Sequence, residues 1–109
     1  MRFSLAAFVV TLGLTHSSAF AQVDEEAATK LLRKGECHKC HSLDKKKKAP
    51  SYRDIAQKYR GKVNAEREMT LHITGNPIVK LDEGEEKHIA PDTKDPAELR
   101  NLVRWVLSR

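Results

Sequence analysis

The sequence is poor in aromatic residues and in cysteine. Aromatic side chains make up 6% of the 109 residues, and there are only two cysteines and two methionines. With so few rings for base stacking, the formal net charge of +5 does not indicate nucleic-acid binding. Two cysteines are too few for a four-cysteine zinc site. No constellation of acid, base and nucleophile is visible, so the chain is not expected to be an enzyme.

The sequence also lacks an apolar stretch long enough to cross a bilayer, which takes about 20 residues. The apolar run at residues 3–14 follows Arg2 and precedes Ala19-Phe20-Ala21, a small-x-small cleavage site. This pattern favours a cleaved secretory signal at residues 1–21 over a membrane anchor. It predicts an exported mature domain of residues 22–109 without a membrane span.

Both cysteines belong to one motif, Cys37-His38-Lys39-Cys40-His41, which reads C-x-x-C-H. This is the attachment sequence of a c-type haem, in which the thiols add to the vinyl groups and the histidine can bind the iron. A dithiol redox motif expects a βαβ pattern, and a zinc site needs further ligands. A disulfide is the ordinary fate of two cysteines in an exported protein. The adjoining His41 favours the haem.

The apolar periodicity predicts four helices and no strands, hence an all-α fold. The predicted helices cover residues 24–34, 51–60 and 64–74 and a last segment that begins at residue 95, with Asp24, Ser51, Asn64 and Asp95 as N-caps. Gly35 is expected to end the first helix in the left-handed conformation. Residues 78–92 show no helical period and carry an acidic cluster, so they are predicted to form a loop.

The motif, the proline that follows it and the four helices resemble a class I cytochrome c. Residues 49–61, APSYRDIAQKYRG, are similar to the G-P-x-Y-x-D-x-A-x-K-F/Y-x-G segment of the small bacterial cytochrome c-551/c-552 group, and residues 104–108 resemble its last turns. The resemblance implies the class I cytochrome c fold around one covalent haem c. It also implies that the first and last helices pack through Leu32 and Trp105.

The resemblance assigns roles to four residues of the haem site. Cys37 and Cys40 would bind the haem covalently, and His41 would be the proximal iron ligand. The carbonyl of Pro50 would accept a hydrogen bond from the other ring nitrogen of His41 and so fix its tautomer.

The sequence departs from this group at the sixth iron ligand. The group has a methionine in the loop before the last helix, whereas no methionine follows Gly75 here and His88 stands beside the expected position. His88 is the first candidate, because neutral imidazole binds haem iron well. Met69 is the second, although a methionine on an apolar stripe more often packs in the core. Five-coordinate or water-bound iron is the remaining alternative, and His72 is expected on the surface.

These features predict a periplasmic monohaem cytochrome that carries single electrons between redox partners, with His/His ligation. The run Lys45–Lys48 is either a solvated loop or a docking patch beside the haem edge. Two other functions remain open. One is a haem subunit bound permanently to a periplasmic oxidoreductase, and the other is a five-coordinate haem protein that binds a small ligand.

Overall fold

The computed structural model describes residues 22–109, so the predicted signal at residues 1–21 lies outside the described part. Four α-helices, a 3₁₀ turn at the cysteine motif and a β-hairpin follow one another along the chain. In order they are α1 (Glu25–Lys34), the 3₁₀ turn (Cys37–Lys39), α2 (Tyr52–Tyr59), α3 (Ala65–Thr74), β1 (Ile78–Leu81), β2 (Gly84–Lys87) and α4 (Pro96–Leu107). The four predicted helices therefore form, close to their predicted positions.

Side-chain caps begin three of the helices. A carboxylate oxygen of Asp24 accepts a hydrogen bond from the backbone N–H of Ala27 at 2.9 Å, and Asp95 caps α4 in the same manner. The hydroxyl of Ser51 caps α2. Asn64 occupies the N-cap position of α3 as predicted, but its side chain makes no cap hydrogen bond.

The end of α1 also differs from the prediction. Gly35 has a φ of −83°, and Glu36 instead takes the left-handed conformation, with a φ of 59°. Gly35 is needed for space rather than for its backbone angle. A Cβ there would lie 3.3 Å from both the backbone nitrogen of Asp92 and the sulfur of Cys37, tighter than ordinary packing contacts.

Helix α4 is the centre of the core, because α1, α2 and α3 all pack against it. The buried cluster contains residues of all four helices: Ala28, Leu31, Leu32, Tyr52, Met69, Leu102, Val103, Trp105 and Val106. Leu32 and Trp105 both belong to it, in line with the predicted packing of the first and last helices. Burying this apolar surface supplies the main driving force for folding.

The predicted loop at residues 78–92 was wrong in its first part. Residues 78–87 form an antiparallel hairpin in which Ile78 pairs with Lys87 and Leu81 with Gly84. All four residues of β2 are exposed, and a strand without a buried face needs no alternation of apolar and polar residues. The sequence of β2 shows no such alternation. The local signal for a turn was Asp82-Glu83-Gly84, in which Gly84 adopts a φ of 131°.

Contacts with the rest of the chain hold this hairpin, because a two-stranded hairpin alone is marginally stable. Lys46 forms an ion pair of 2.9 Å with Asp82 in the turn. At the open end, the backbone N–H of His88 donates to the carbonyl of Pro77 at 2.7 Å. None of the helices within residues 22–109 has the length and apolar character needed to span a membrane.

Candidate haem-binding site

A cavity of about 530 Å³ lies between the helices, the cysteine motif and the hairpin. Much of its wall is apolar, and the lining includes Leu32, Ile55, Tyr59, Met69, Leu102 and Val106. Cofactor pockets have volumes of about 300–1,000 Å³ and mostly apolar walls with a few polar groups. The cavity therefore has the size and character to hold a cofactor.

The cysteine motif forms one side of this cavity. Its 3₁₀ turn is closed by hydrogen bonds from the backbone N–H groups of Cys40 and His41 to the carbonyl of Cys37, at 3.2 and 3.0 Å. All three side chains line the cavity, and the two cysteines are not joined in a disulfide. Burial raises the pKa of the Cys37 thiol. The tight turn thus brings two sulfurs and one imidazole to the same wall.

The ring of His41 is held from two sides. Its Nδ1 lies 2.6 Å from the carbonyl oxygen of Pro50, and its ring stacks on Tyr52 with the centroids 5.4 Å apart. Because a carbonyl oxygen can only accept, Nδ1 must carry the hydrogen. The lone pair of the ring is therefore on Nε2, where a metal ion can take it.

His88 contributes a second imidazole to the cavity. Its ring centroid lies 6.4 Å from that of His41, and the two ring planes are tilted by 53°. Two hydrogen bonds hold its backbone: one to the carbonyl of Pro77, and one from the side-chain amide of Asn76, at 3.0 Å. Burial lowers the pKa of His88, and the neighbouring His72 and His41 lower it further. The ring is therefore kept neutral, which is the form that binds metals.

Met69, the second candidate for the distal ligand, also lines the cavity. Its side chain is only 2% exposed and belongs to the buried cluster of the core. It projects from the middle of α3, whose backbone is fixed by helical hydrogen bonds. The structure therefore brings both distal candidates to the same cavity but embeds only Met69 in the core.

His72 is exposed, as expected, but its ring also lines the cavity. The ring centroids of His72 and His88 are 5.6 Å apart. Sequence reasoning missed this contact. The signal that could have revealed it is the position of His72 one helical turn after Met69 and next to Ile73, both of which line the cavity.

The lysine run Lys45–Lys48 is partly engaged within the molecule. Lys46 pairs with Asp82 of the hairpin, and the side chain of Lys47 donates to the carbonyl of His38 at 2.8 Å. The side chains of Lys45 and Lys48 are exposed and form no ion pair with any residue from 22 to 109. Two of the four charges are thus available to a partner.

Two buried polar atoms of cavity-lining residues have no hydrogen-bond partner among the described residues. They are the hydroxyl of Tyr52 and the Nδ1 of His88. Burial beside Cys37 and Cys40 raises the pKa of the Tyr52 hydroxyl far above its usual range. Native proteins rarely leave buried polar atoms unpaired. Such atoms beside a cavity fit a bound group that completes the interior.

A small helical domain that encloses a cofactor-sized cavity, with a C-x-x-C-H motif in the wall, defines the c-type cytochromes. The sequence matches the Cytochrome c family over residues 25–109, and the chain belongs to this family. The protein is a class I c-type cytochrome with one covalently attached haem c, and it transfers electrons.

Curated relatives extend over almost the whole chain. Cytochrome c-551 of Pseudomonas aeruginosa is 31% identical, over 98% of this chain and 96% of the relative. Cytochrome c-552 of Hydrogenobacter thermophilus is 28% identical, over 98% of this chain and 96% of the relative. These relatives are electron-carrier cytochromes rather than enzymes.

Solved structures share the fold. The class 1 cytochrome MtoD of Sideroxydans lithotrophicus ES-1 is 44% identical, with a TM-score of 0.76 over 80% of this chain and 97% of that one. Cytochrome c552 of Nitrosomonas europaea is 25% identical, with a TM-score of 0.57 over 73% of this chain and 96% of that one.

Proposed function

We propose that this protein is a periplasmic electron carrier whose haem iron is bound by His41 on one side and His88 on the other. The observation that carries the proposal is the placement of two imidazoles in one cavity, with their ring centroids 6.4 Å apart. The haem supplies one-electron redox chemistry at its iron. The chain supplies the ligands, the burial and the surface at which partners dock.

The spacing of the two rings suits a metal between them. First-row metals bind an imidazole nitrogen at about 2 Å, and that nitrogen lies about 1 Å from the ring centre. Two imidazoles on opposite sides of one metal therefore have centroids about 6 Å apart. The separation of His41 and His88 agrees with this value, which supports His88 as the distal ligand.

Cys37 and Cys40 are assigned the two thioether bonds to the haem. Both sulfurs line the same wall as His41, so one porphyrin could be tethered and ligated from that side. The carbonyl of Pro50 orients the proximal ring and raises its basicity through the Nδ1–H hydrogen bond. Apolar residues around the cavity exclude water from the metal.

Met69 is the less favoured distal ligand for a packing reason. Its side chain is 2% exposed and packs within the buried cluster, so binding the iron would draw its sulfur out of these packing contacts. His88 is only half-buried and follows the hairpin. Its side chain can therefore reach the metal without disturbing the core.

The proposed ligation predicts a lowered reduction potential. A thioether ligand favours ferrous iron and raises the potential, whereas a second imidazole does so less. We expect a midpoint potential below that of His/Met-ligated relatives, measured by redox titration of the holoprotein. A potential typical of His/Met cytochromes would contradict the assignment.

Spectroscopy with variants tests the ligand directly. The ferric holoprotein should give the electron paramagnetic resonance signal of low-spin bis-imidazole iron. His88→Ala should open the site, so that exogenous imidazole and carbon monoxide bind readily. The double variant His72→Ala/His88→Ala removes the neighbouring imidazole as a replacement ligand. Met69→Leu is the matched control, because it removes the other candidate and conserves the volume.

The outcomes separate the alternatives. Ligand binding that is unchanged in both the His88→Ala and the double variant would rule out His88. Opening of the site in Met69→Leu alone would assign the ligand to Met69. Ready carbon monoxide binding by the unmodified ferrous protein would favour the five-coordinate small-ligand binder.

Residues 1–21 are proposed to be a cleaved export signal, on the evidence of the Arg2 start, the apolar run and the Ala19-Phe20-Ala21 site. The mature protein would then begin at Gln22 and reside in the periplasm. Mass spectrometry of the haem protein from a periplasmic fraction tests this. A mass that includes residues 1–21 would contradict cleavage.

Lys45 and Lys48 are proposed to attract an acidic redox partner. Family members pass electrons to partner proteins, and charges near the haem edge speed such encounters. Both side chains are exposed and lie a few residues after His41. Lys46 and Lys47, in contrast, are engaged with Asp82 and His38 and stabilise the loop itself.

A further inference from the structure

The two imidazoles of the site differ in how their second ring nitrogen is held. The Nδ1 of His41 lies 2.6 Å from the carbonyl oxygen of Pro50. The Nδ1 of His88 is buried and has no hydrogen-bond partner among residues 22–109. A histidine that binds a metal almost always donates its other ring N–H to an acceptor, which fixes the ring orientation. The Nδ1 of His88 therefore lacks the hydrogen-bond acceptor that the Nδ1 of His41 has.

The ring of His72 lies next to the ring of His88. The centroids of His72 and His88 are 5.6 Å apart, with the ring planes tilted by 54°. Since ring nitrogens lie about 1 Å from the centroids, two nitrogens turned toward each other would be about 3–4 Å apart. A small side-chain movement would then allow a direct hydrogen bond between them, and one water molecule could otherwise bridge them. His72 is exposed, so its side chain has room to turn.

Other neighbours of His88 are less suitable as acceptors. Neither the side-chain oxygen of Asn76 nor the carbonyl of Pro77 forms a hydrogen bond with the Nδ1 of His88. The amide of Asn76 is held by its donation to the carbonyl of His88, and the carbonyl of Pro77 accepts from the backbone N–H of His88. The adjacent Lys87 carries only donors. A neutral imidazole, in contrast, always offers one acceptor nitrogen. His72 also belongs to α3, a regular helix that fixes the position of its backbone.

We propose that His72 is a positioning residue that accepts a hydrogen bond from the Nδ1–H of His88, directly or through one water molecule. This contact sets the plane of the distal imidazole and increases its electron donation toward the metal. The inference rests on the proposed ligation by His88 and adds the partner that tunes it. His72 itself binds neither iron nor haem in this arrangement.

The test uses the holoprotein with two substitutions at one position. His72→Ala removes the acceptor, and His72→Gln keeps a side-chain carbonyl that can accept. Arg67→Ala is the matched control, because Arg67 is an exposed residue of α3 that does not line the cavity. Each variant is compared with the unmodified protein by redox titration, by ferric electron paramagnetic resonance and by carbon monoxide titration of the ferrous form.

We expect His72→Ala to move the midpoint potential to a more positive value and to change the g-values of the low-spin ferric signal. Its apparent affinity for carbon monoxide should rise about tenfold or more, since loss of an outer partner weakens metal binding by about 10–100-fold. His72→Gln should restore most of the unmodified behaviour, and Arg67→Ala should leave all three measurements unchanged.

Two results would overturn the proposal. In the first, His72→Ala loses stability but keeps its potential and g-values, which would give His72 a structural role alone. In the second, His72→Gln behaves as His72→Ala does, which would mean that hydrogen-bond acceptance is not the cause. In both cases the bis-imidazole signal of the unmodified protein would still support His88. Absence of that signal would refute the ligation itself.

Discussion

Glu36 shows at the level of a single residue how the chain enters the haem motif. It has a φ of 59°, in the left-handed region that residues other than glycine rarely adopt. Its neighbour Gly35 has an ordinary φ, but a Cβ there would lie 3.3 Å from the sulfur of Cys37, which is a tight contact. The sharp change of direction between α1 and the cysteines thus falls on Glu36. Its exposed ion pair with Lys39 compensates little, because surface pairs contribute about 0–1 kcal/mol.

Glycine at this position should relieve the strain. We expect Glu36→Gly to be more stable than Glu36→Ala by about 1 kcal/mol, since an L-residue in the left-handed conformation costs about 1–2 kcal/mol. Both variants lose the ion pair with Lys39, so their comparison isolates the backbone term. The free energy of unfolding of the holoproteins by guanidinium chloride measures it. A less stable Glu36→Gly would show that the left-handed conformation carries no strain.

At the level of elements, contacts of α4 and the residues after it hold the start of α1. The side chain of Asn101 accepts from the backbone N–H of Asp24 and donates to its carbonyl, both at 2.8 Å. Arg109 adds an ion pair to Glu25 at 3.2 Å and packs over the ring of Trp105. The crossing of α1 and α4 therefore combines apolar burial with reciprocal polar contacts. Because α1 leads directly into the cysteine motif, this crossing also positions the motif.

Removal of the Asn101 side chain should loosen this crossing. We expect Asn101→Ala to destabilise the holoprotein by about 1–2 kcal/mol, the net worth of two hydrogen bonds to backbone groups. Arg100→Ala is the control, because Arg100 precedes Asn101 on α4. The side chain of Arg100 is exposed and forms no ion pair with the described residues. Thermal unfolding followed by circular dichroism tests this. Equal stability of the two variants would mean that water replaces the Asn101 bonds without cost.

At the scale of the whole molecule, the packed core around α4 forms one wall of a large cavity. An empty apolar cavity costs about 24 cal/mol for each Å³. For a volume of about 530 Å³ this amounts to about 13 kcal/mol, comparable with the entire stability of a small domain. The bound haem therefore completes the hydrophobic core as well as carrying the electron.

Loss of the haem should consequently unfold the protein. We expect the double variant Cys37→Ser/Cys40→Ser, prepared without haem, to lose most of the far-ultraviolet circular dichroism of its helices at 25 °C. Addition of free haem is the control, and it should restore helical structure if the substitutions themselves are harmless. Cooperative unfolding of the haem-free variant at a denaturant midpoint near that of the holoprotein would contradict the role of haem in the core.

The proposed docking charges also act at this scale. Lys45→Glu/Lys48→Glu should slow electron transfer with the anion hexacyanoferrate by about tenfold at low ionic strength, because reversed charges near the haem repel it. The control Lys30→Glu/Lys94→Glu changes the net charge equally at exposed lysines that lie outside the loop following His41. Salt should abolish the difference between the two variants. Equal slowing of both would assign the effect to net charge alone.

Local patterns in the sequence were sufficient for the helices and for the attachment motif. Caps such as Asp24 and Ser51 bond within three residues, and the spacing of Cys37, Cys40 and His41 acts within one turn. The hairpin was missed because its exposed strands lack an apolar face. Its formation depends on contacts such as Lys46 with Asp82, which lie far apart in the sequence.

The sequence by itself determined the class of protein, since a helical pattern and a C-x-x-C-H motif express short-range chemistry. It also named His88 as a candidate ligand. Only the tertiary structure placed the ring centroids of His88 and His41 6.4 Å apart and brought His72 beside His88. Those distances depend on how α3, the hairpin and the cysteine motif pack around one cavity, and no local sequence pattern encodes that packing.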